Sequence, residues 1–156
     1  MSGYIATIRW DVGQGQFLAG KYSREHTWTF DGGVTVPASS SPHVVPVPWS
    51  NPAGVDPEEA FVAAIASCHM LTLLYLASRR GFQIDRYEDS AVGTMEKNSR
   101  GVPWVSRVVL HPVISYGGAK RPTSDEEAQL HHDSHEQCYI ANSVKTDIVV
   151  DGFPAH

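Results

Sequence analysis

The feature that most constrains this chain is an uncharged segment, residues 60–78, which follows a strong helix-start signal. Asp56 can accept backbone N–H groups as an N-cap, and Pro57 suits the first helical position. Glu58 and Glu59 then lie in the first turn, where the positive end of the helix dipole favours acidic side chains. The sequence therefore predicts a helix that begins at Pro57.

The same segment also ends with clear signals. Arg79 and Arg80 complement the negative end of the helix, and Gly81 can adopt the left-handed conformation that closes it. An amphipathic helix would carry charges on one face, so a helix that is apolar all round is expected to be buried all round. Residues 60–78 are long enough to cross a bilayer, but they are rich in Ala, Ser and Thr and include His69. We expect the central helix of a globular domain, with a second chain as a possible neighbour.

Length and charge narrow the class of protein. A chain of 156 residues is expected to form a single domain, 1–156, with a sizeable core. A net charge of −5 argues against nucleic acid or an acidic membrane surface as a partner. Because the N-terminus shows neither a basic nor an apolar leader region, a cytoplasmic location is expected. Two cysteines in that reducing compartment indicate catalysis or redox sensing rather than a permanent disulfide, if they pair at all.

The first third of the sequence is typical of β structure. Residues 4–10 and 28–30 favour strands, and residues 34–36 return after a glycine-containing turn. The proline-rich segment 37–57 cannot pair regularly and predicts an extended loop. Its apolar side chains favour an ordered wall rather than a flexible linker.

The remainder predicts an α+β domain. Strand segments follow the central helix, with residues 105–116 as one long strand interrupted at Pro112, and a meander is the simplest pairing. Thr123 or Ser124 then starts a second helix that is expected to continue through Cys138 and Ile140. Residues 146–152 form a final strand, so the helices must cover sheet.

Both cysteines fall on predicted helices, where a buried cysteine is most often a small core residue. Two features of the surrounding sequence make a redox role worth testing. Asp56-Pro57-Glu58-Glu59 precedes Ala66-Ser67-Cys68 by a short apolar stretch, and a second cysteine follows in His135-Glu136-Gln137-Cys138, with Asn142 shortly after it.

This pattern resembles the OsmC/Ohr family of organic hydroperoxide reductases over most of the chain. The resemblance implies an OsmC-like fold with antiparallel sheets, a long buried central helix and a second cysteine-bearing helix, in an intertwined homodimer with sites at the interface. It also implies reduction of organic hydroperoxides by a cysteine pair, regenerated by a dithiol reductant such as a lipoylated protein, with no cofactor. Tyr139 departs from the proline common in the hydroperoxide-resistance branch and indicates an OsmC-like side branch.

Carried onto this sequence, the resemblance makes Cys68 the peroxidatic cysteine and Cys138 the resolving one. It assigns Glu58 as the catalytic glutamate and Arg24, in the first hairpin, as the thiolate-activating arginine. Such an arginine is needed because an ordinary thiol is only a few per cent ionised at neutral pH, and burial lowers that fraction. If Glu58 lies in the first helical turn, ten residues place it about 15 Å along the axis from Cys68. Either Glu58 belongs to a loop that folds back, or it serves the cysteine of a partner chain.

An apolar pocket would favour an alkyl hydroperoxide over hydrogen peroxide. The candidate walls are Trp28, Trp49, Phe61, Met70 and Tyr139.

The histidines allow a competing interpretation. His131 and His135 are four residues apart, a spacing that can bind zinc. A solvated helix face is the more common explanation for such a polar stretch, so no metal is expected. His69 points about 100° away from Cys68 and is expected to be a core or interface residue rather than the base for the thiol.

The sequence leaves two functions open. The first is a thiol-dependent peroxidase that uses Cys68 and Cys138. The second is a non-enzymatic small-molecule binding protein of the same fold, in which the cysteines are structural. A hydrolase or acyl-transfer role for Cys68 ranks third, because no histidine can be placed as its base.

Overall fold

The computed structural model describes residues 3–153. The ends of the expected 1–156 domain, including Met1 and Ser2 of the region expected to lack a leader, lie outside the described residues. The chain divides into two compact units, Met1–Ala60 and Phe61–His156, which are described separately below.

The first unit contains a three-stranded antiparallel sheet. Its strands are β1 (Ala6–Arg9), β2 (His26–Phe30) and β3 (Thr35–Ala38), in the order β1-β2-β3. The turn between β2 and β3 needs a left-handed residue, and Gly33 supplies it with φ +92°. The strands predicted from alternation and turn residues in this region are therefore confirmed.

The expectation that segment 37–57 does not pair is wrong for Pro37 and Ala38, which end β3 and pair with β2. The rest of the segment forms no ladder apart from an isolated bridge between Ala38 and Val55, and side-chain hydrogen bonds hold it in place. The Ser39 hydroxyl accepts the backbone N–H of Asn51 at 2.9 Å, and the Ser50 hydroxyl donates to the Val45 carbonyl at 2.6 Å. Ser39 and Ser50 are both buried, so these bonds satisfy polar groups that water cannot reach. Val44 and Val47 are exposed in the single chain, so they do not form the expected wall within it.

Helix α1 (Pro57–Arg79) begins and ends where its sequence signals predict. The Asp56 side chain accepts the Glu59 N–H at 2.8 Å, and the Glu59 side chain accepts the Asp56 N–H at 3.1 Å. This reciprocal capping box satisfies two backbone donors at the helix start. Gly81 follows the helix with φ +81°, as expected for a residue that closes it.

The second unit contains two further sheets. Strands β4 (Ile84–Asp89) and β7 (Pro112–Tyr116) form an antiparallel pair. Strands β5 (Val92–Lys97), β6 (Pro103–Leu110) and β8 (Asp147–Val150) form a sheet in the order β5-β6-β8, in which β8 runs parallel to β6.

The predicted meander is therefore wrong. Residues 105–116 do not form one strand, because the chain leaves one sheet after Leu110 and enters the other at Pro112. The backbone N–H of His111, between them, is taken by the Asp89 carboxylate at 2.7 Å. This side-chain hydrogen bond satisfies the His111 N–H where the chain passes from one sheet to the other. In a continuous strand, the same N–H would need a ladder hydrogen bond.

Helix α2 (Ser124–Gln137) starts at the predicted N-cap, Thr123, which forms a capping box with Glu126. The helix is shorter than predicted. Cys138 is its C-cap in an extended conformation, with φ −68° and ψ 118°, and Ile140 lies beyond it. The second cysteine is thus at the end of a helix rather than within one.

Two small cores lie along the buried face of α1. Near its end, Leu73, Leu76 and Ala77 pack with Leu130 of α2, and near its start Ile65 packs with β6 and β8. Close approach to β5 requires Gly93, since a Cβ there would lie 2.6 Å from Val62 Cγ2.

The opposite face of α1 is open in the single chain. Leu71 is 60% exposed and Tyr75 is 61% exposed, so the expectation of burial on all sides is not met within one copy. By length and composition α1 could cross a membrane, and 28% of its most apolar stretch is buried. Core helices of soluble proteins meet the same criteria, so this is weak evidence for a membrane span.

Candidate functional site

The two cysteines meet in the second unit. Cys68 lies in the middle of α1 and is half-buried, whereas Cys138 is only 1% exposed at the end of α2. Both are free thiols, and the side chain of Cys138 hydrogen-bonds to that of Cys68. Residues seventy positions apart in sequence are thereby brought into contact.

The turn after α2 surrounds Cys138 with hydrogen bonds. The backbone N–H of Ala141 donates to Cys138 Sγ at 3.3 Å. The Asn142 side chain donates to the carbonyls of Glu136 and Cys138, each at 2.9 Å. These bonds hold the extended backbone that ends α2 and aim Sγ away from solvent.

Burial raises the pKa of the Cys138 thiol from 9.0 to about 11, and the hydrogen bond with Cys68 acts in the same direction. Backbone N–H groups of Ala141 and Ile140 oppose this rise without cancelling it. Cys138 is therefore a neutral thiol at neutral pH. Of the two sulfurs, the half-buried Cys68 is the one that a substrate can reach.

An open cavity of about 890 Å³ adjoins Cys68. Tyr139, a wall residue expected from the sequence, lines it. Sequence reasoning missed the α1 residues of the lining, although their spacing marks one helix face. Within the described part of the chain the lining carries no charged side chain; it comprises Ala64, Ser67, Cys68, Leu71, Thr72, Tyr75, Gln137, Tyr139, Ile140 and Asn142.

The structure places the two predicted charged residues, Arg24 and Glu58, in the first unit. The Arg24 guanidinium donates to the Tyr22 carbonyl at 2.6 Å and lies 3.6 Å from the centre of the Tyr22 ring. Glu58 lies in the first turn of the continuous helix α1. Of the two alternatives for Glu58, the loop that folds back is therefore excluded.

The other expected wall residues are distributed over both units. Trp28 donates its indole N–H to His26 Nε2 at 2.9 Å, and the Trp49 carbonyl accepts the Arg24 backbone N–H. Phe61 packs against the core at the start of α1, and Met70 is half-buried on the same helix. None of these four residues lines the cavity next to Cys68.

Beside the cysteines, two buried histidines also join α1 to α2. His69 and His131 are 1% and 2% exposed, and His69 Nε2 lies 3.0 Å from His131 Nδ1. The expectation of a core position for His69 is confirmed, but the interpretation of His131 as part of a solvated face is wrong. Burial lowers the pKa of His69 to about 3, helped by His131 and His135, and lowers the pKa of His131 to about 4. Both rings are thus neutral at neutral pH.

Residues 50–151 match the family model described as OsmC-like protein, and this range includes α1, both cysteines and all strands of the second unit. A solved structure of an OsmC-like protein of unknown function from Vibrio cholerae is 48% identical, with a TM-score of 0.94 over 97% of this chain and 99% of that one. The chain belongs to the OsmC-like family.

More distant OsmC-like structures share the α+β fold. An organic hydroperoxide resistance protein OsmC from Legionella pneumophila is 14% identical, with a TM-score of 0.71 over 96% of both chains. The organic hydroperoxide resistance protein OhrB of Bacillus subtilis is 19% identical, with a TM-score of 0.66 over 96% of both chains. At these identities the likeness concerns the fold alone. Among curated proteins, no relative of this sequence was found.

Proposed function

We propose that this OsmC-like protein is a thiol-dependent peroxidase that reduces organic hydroperoxides with Cys68 and Cys138. The observation that carries the proposal is the contact between these two free thiols beside an open, uncharged cavity. Apolar walls favour the alkyl group of a hydroperoxide, and the second sulfur is in place to trap an oxidised first sulfur.

In the first step, the Cys68 thiolate attacks the terminal oxygen of the hydroperoxide. An S–O bond forms and the O–O bond breaks, so Cys68 becomes a sulfenic acid and the alkoxide leaves as an alcohol after taking a proton from solvent. In the second step, the Cys138 sulfur attacks Cys68 Sγ. A disulfide forms, the S–O bond breaks, and the hydroxide leaves as water with the Cys138 proton.

The different environments of the two sulfurs support this division of roles. Cys138 is buried and its raised pKa keeps it protonated, so it is a poor first nucleophile. As a resolving residue it needs only to reach a sulfur that it already contacts. A dithiol, such as a lipoyl group on a protein, would then reduce the disulfide by exchange and restore both thiols.

The rest of the site is proposed to involve a second copy. The exposed Leu71 and Tyr75 on α1 suit burial against another chain in a homodimer. Ten residues of continuous helix separate Glu58 from Cys68, about 15 Å of rise, which supports action of Glu58 on the partner's cysteine. We assign Arg24 as the cation that stabilises the thiolate. We also propose that the protein is cytoplasmic and that residues 1–156 act as one OsmC-like domain. Trp28, Trp49, Phe61 and Met70 stay proposed walls of the completed pocket.

Thiol counting with mass spectrometry tests the mechanism. The reduced protein is treated with one equivalent of cumene hydroperoxide, alongside Cys68→Ser and Cys138→Ser. We expect the wild type to lose both thiols and two hydrogens of mass, and Cys138→Ser to stop at a sulfenic acid on Cys68. Cys68→Ser should retain its remaining thiol. Survival of both wild-type thiols in excess hydroperoxide would refute the peroxidase.

The second candidate function is non-catalytic binding of a small apolar molecule in the Cys68 cavity. Its size, about 890 Å³, and its uncharged lining favour this alternative independently of the sulfur chemistry. A binding protein would take up an apolar ligand equally well with Cys68→Ser and would show no disulfide after hydroperoxide. A peroxidase would form the disulfide at once, so the same samples separate the two functions.

A further inference from the structure

The end of α2 lacks the closure that many helices have. The last four carbonyls of a helix find no partner within it, and a left-handed residue after the C-cap commonly satisfies some of them. Here Tyr139 follows the C-cap Cys138, and among the described residues only glycines have a positive φ. The free carbonyls at this end of α2 therefore depend on other donors.

Asn142 supplies such donors. Its side-chain amide donates to the carbonyls of Glu136 and Cys138, each at 2.9 Å, and its backbone N–H donates to the Cys138 carbonyl at 3.1 Å. The neighbouring backbone N–H, that of Ala141, reaches Cys138 Sγ at 3.3 Å. The bonds to the carbonyl and the bond to the sulfur belong to one turn, so loss of the first is expected to disturb the second.

The sulfur held by this turn is the one that contacts Cys68. Cys68 lies in the middle of the long helix α1, whereas Cys138 lies where α2 ends. The interior of a helix is held by its own hydrogen-bond ladder, but a helix end opens more easily. Of the two sulfurs, Cys138 is therefore the one whose position depends on a few local bonds. Asn142, which makes these bonds, is exposed and lines the same cavity as Cys68.

We propose that Asn142 is a positioning residue for the second step of the reaction, in which it holds Cys138 against Cys68 so that the disulfide forms before further oxidation. This inference rests on the proposed peroxidase function. In the second step the S–S bond forms, the S–O bond of the sulfenic acid breaks, and the hydroxide leaves as water with the Cys138 proton.

A competing reaction threatens the sulfenic acid on Cys68. Its sulfur can attack a second hydroperoxide, so that a new S–O bond forms, the O–O bond breaks, and a sulfinic acid and an alcohol result. A dithiol does not reverse this product. A displaced Cys138 would leave more time for the competing reaction, whereas the first step needs only Cys68 and the hydroperoxide.

A single-turnover experiment separates the two steps. Reduced wild type and Asn142→Ala are mixed with cumene hydroperoxide, quenched at intervals with dimedone, which traps sulfenic acids, and analysed by mass spectrometry. We expect the first step to change by less than about twofold and disulfide formation to slow at least about tenfold, because a small displacement of a reacting atom is costly. In excess hydroperoxide the sulfinic fraction of Cys68 should rise. Disulfide formation as fast as in the wild type, or equal slowing of both steps, would overturn the proposal.

Two further variants test hydrogen bonding rather than shape. Asn142→Asp keeps the size of the side chain, but a carboxylate only accepts hydrogen bonds, so it would face the two carbonyls without a donor. It should slow disulfide formation at least as much as Asn142→Ala, and it decides the question if Asn142→Ala does not fold. Wild-type behaviour of Asn142→Asp would refute the role of the amide.

Ser143→Ala is the matched control for the turn. It removes a bond of the same kind, from the Ser143 hydroxyl to the Tyr139 carbonyl at 2.7 Å, without touching a carbonyl held by Asn142. Disulfide formation in Ser143→Ala should proceed as in the wild type. An equal slowing in Ser143→Ala and Asn142→Ala would indicate a general weakening of the turn and would refute the specific role of Asn142.

Equilibration with glutathione measures the position of Cys138 without any hydroperoxide. The disulfide between Cys68 and Cys138 should be about tenfold less favourable in Asn142→Ala, a shift of about 30 mV to a less negative reduction potential, and unchanged in Ser143→Ala. An unshifted potential in Asn142→Ala would refute the positioning role. A shifted potential in a protein whose thiols resist hydroperoxide would refute the peroxidase but support Asn142 as the residue that positions Cys138.

Discussion

Two pairs of side chains join α1 to α2, and the two pairs differ in how far solvent can reach them. Cys68 and Cys138 meet beside an open cavity, and Cys68 is half-buried. His69 and His131 meet 3.0 Å apart with both rings almost fully buried. The cysteine pair can be reached by solutes through Cys68, which lines the cavity. The other is enclosed and kept neutral by its surroundings.

This difference arises from a single step along a helix. Cys68 and His69 are neighbours in sequence, but successive helical residues point about 100° apart. Cys68 therefore falls on the face that includes Leu71 and Tyr75, and His69 falls on the face of Ile65 and Leu73. Helix geometry alone thus makes one of two adjacent residues accessible from the cavity and buries the other.

The largest expected effect is on the accessible pair. Cys68→Ser should lower the rate of organic hydroperoxide reduction by on the order of 10³-fold or more, because a serine hydroxyl is a much weaker nucleophile than a thiolate. Stability should change by less than about 1 kcal/mol. Peroxide consumption coupled to a dithiol measures the rate, and the exposed Ser78→Ala on the same helix is the control. Full activity of Cys68→Ser would show that the accessible cysteine pair does not carry the chemistry, so its accessibility would have no functional meaning.

Acidic pH should lower the stability of the protein through the enclosed histidine pair. His69 and His131 have folded pKa values of about 3 and 4, below their ordinary 6.5, so the unfolded chain binds more protons at mildly acidic pH. Their contribution to stability is complete above about pH 6.5, and it is lost as pH falls toward the folded pKa values. The free energy of unfolding should drop by about 2–4 kcal/mol from pH 7 to pH 5.

Urea unfolding at a series of pH values measures this loss. The matched control is the double variant His69→Leu/His131→Leu, which removes both imidazoles and should flatten most of the slope. An equally steep slope in that variant would show that other groups cause the acid sensitivity.

The stability losses of the two single histidine variants should add up to more than the loss of the double variant. In His131→Leu, the Nε2 of His69 is left buried without a partner, which should cost about 2–3 kcal/mol in urea unfolding at pH 7. In the double leucine variant no polar atom is left over, so its loss should be smaller than the sum of the two single losses by about 1 kcal/mol or more. Additive losses would mean that the two rings do not depend on each other.

The smallest effect concerns a third link between the ends of α1 and α2. Arg80 and Asp133 form an ion pair at 2.6 Å, with side chains 34% and 24% exposed. Arg80→Met keeps the aliphatic stem and should cost less than about 1 kcal/mol, since solvent and salt screen such a pair. Unfolding measurements at low and high salt should converge for the two proteins. If Arg80→Met lost as much free energy of unfolding as His131→Leu, a partly exposed ion pair would matter as much as the buried histidine pair. That result would contradict the view that burial sets the size of these effects.

Much of the local structure could be predicted because its signals lie within a few residues of one another. The capping boxes at Asp56 and Thr123 and the left-handed Gly81 fix the ends of the helices through short-range hydrogen bonds. Strand partners could not be predicted in this way. The pairing of β4 with β7 and of β6 with β8 depends on contacts between distant segments, which periodicity does not encode.

The sequence by itself determined the α+β class, the bounds of α1, and the two cysteines in a context typical of the OsmC-like family. Only the tertiary structure decided that Cys138 ends α2 against Cys68, that α1 residues form most of the cavity wall, and that His131 is buried on His69. The physical reason is the range of the interactions. Caps and turns are set by neighbouring residues, whereas burial is set by whatever the fold brings from far along the chain.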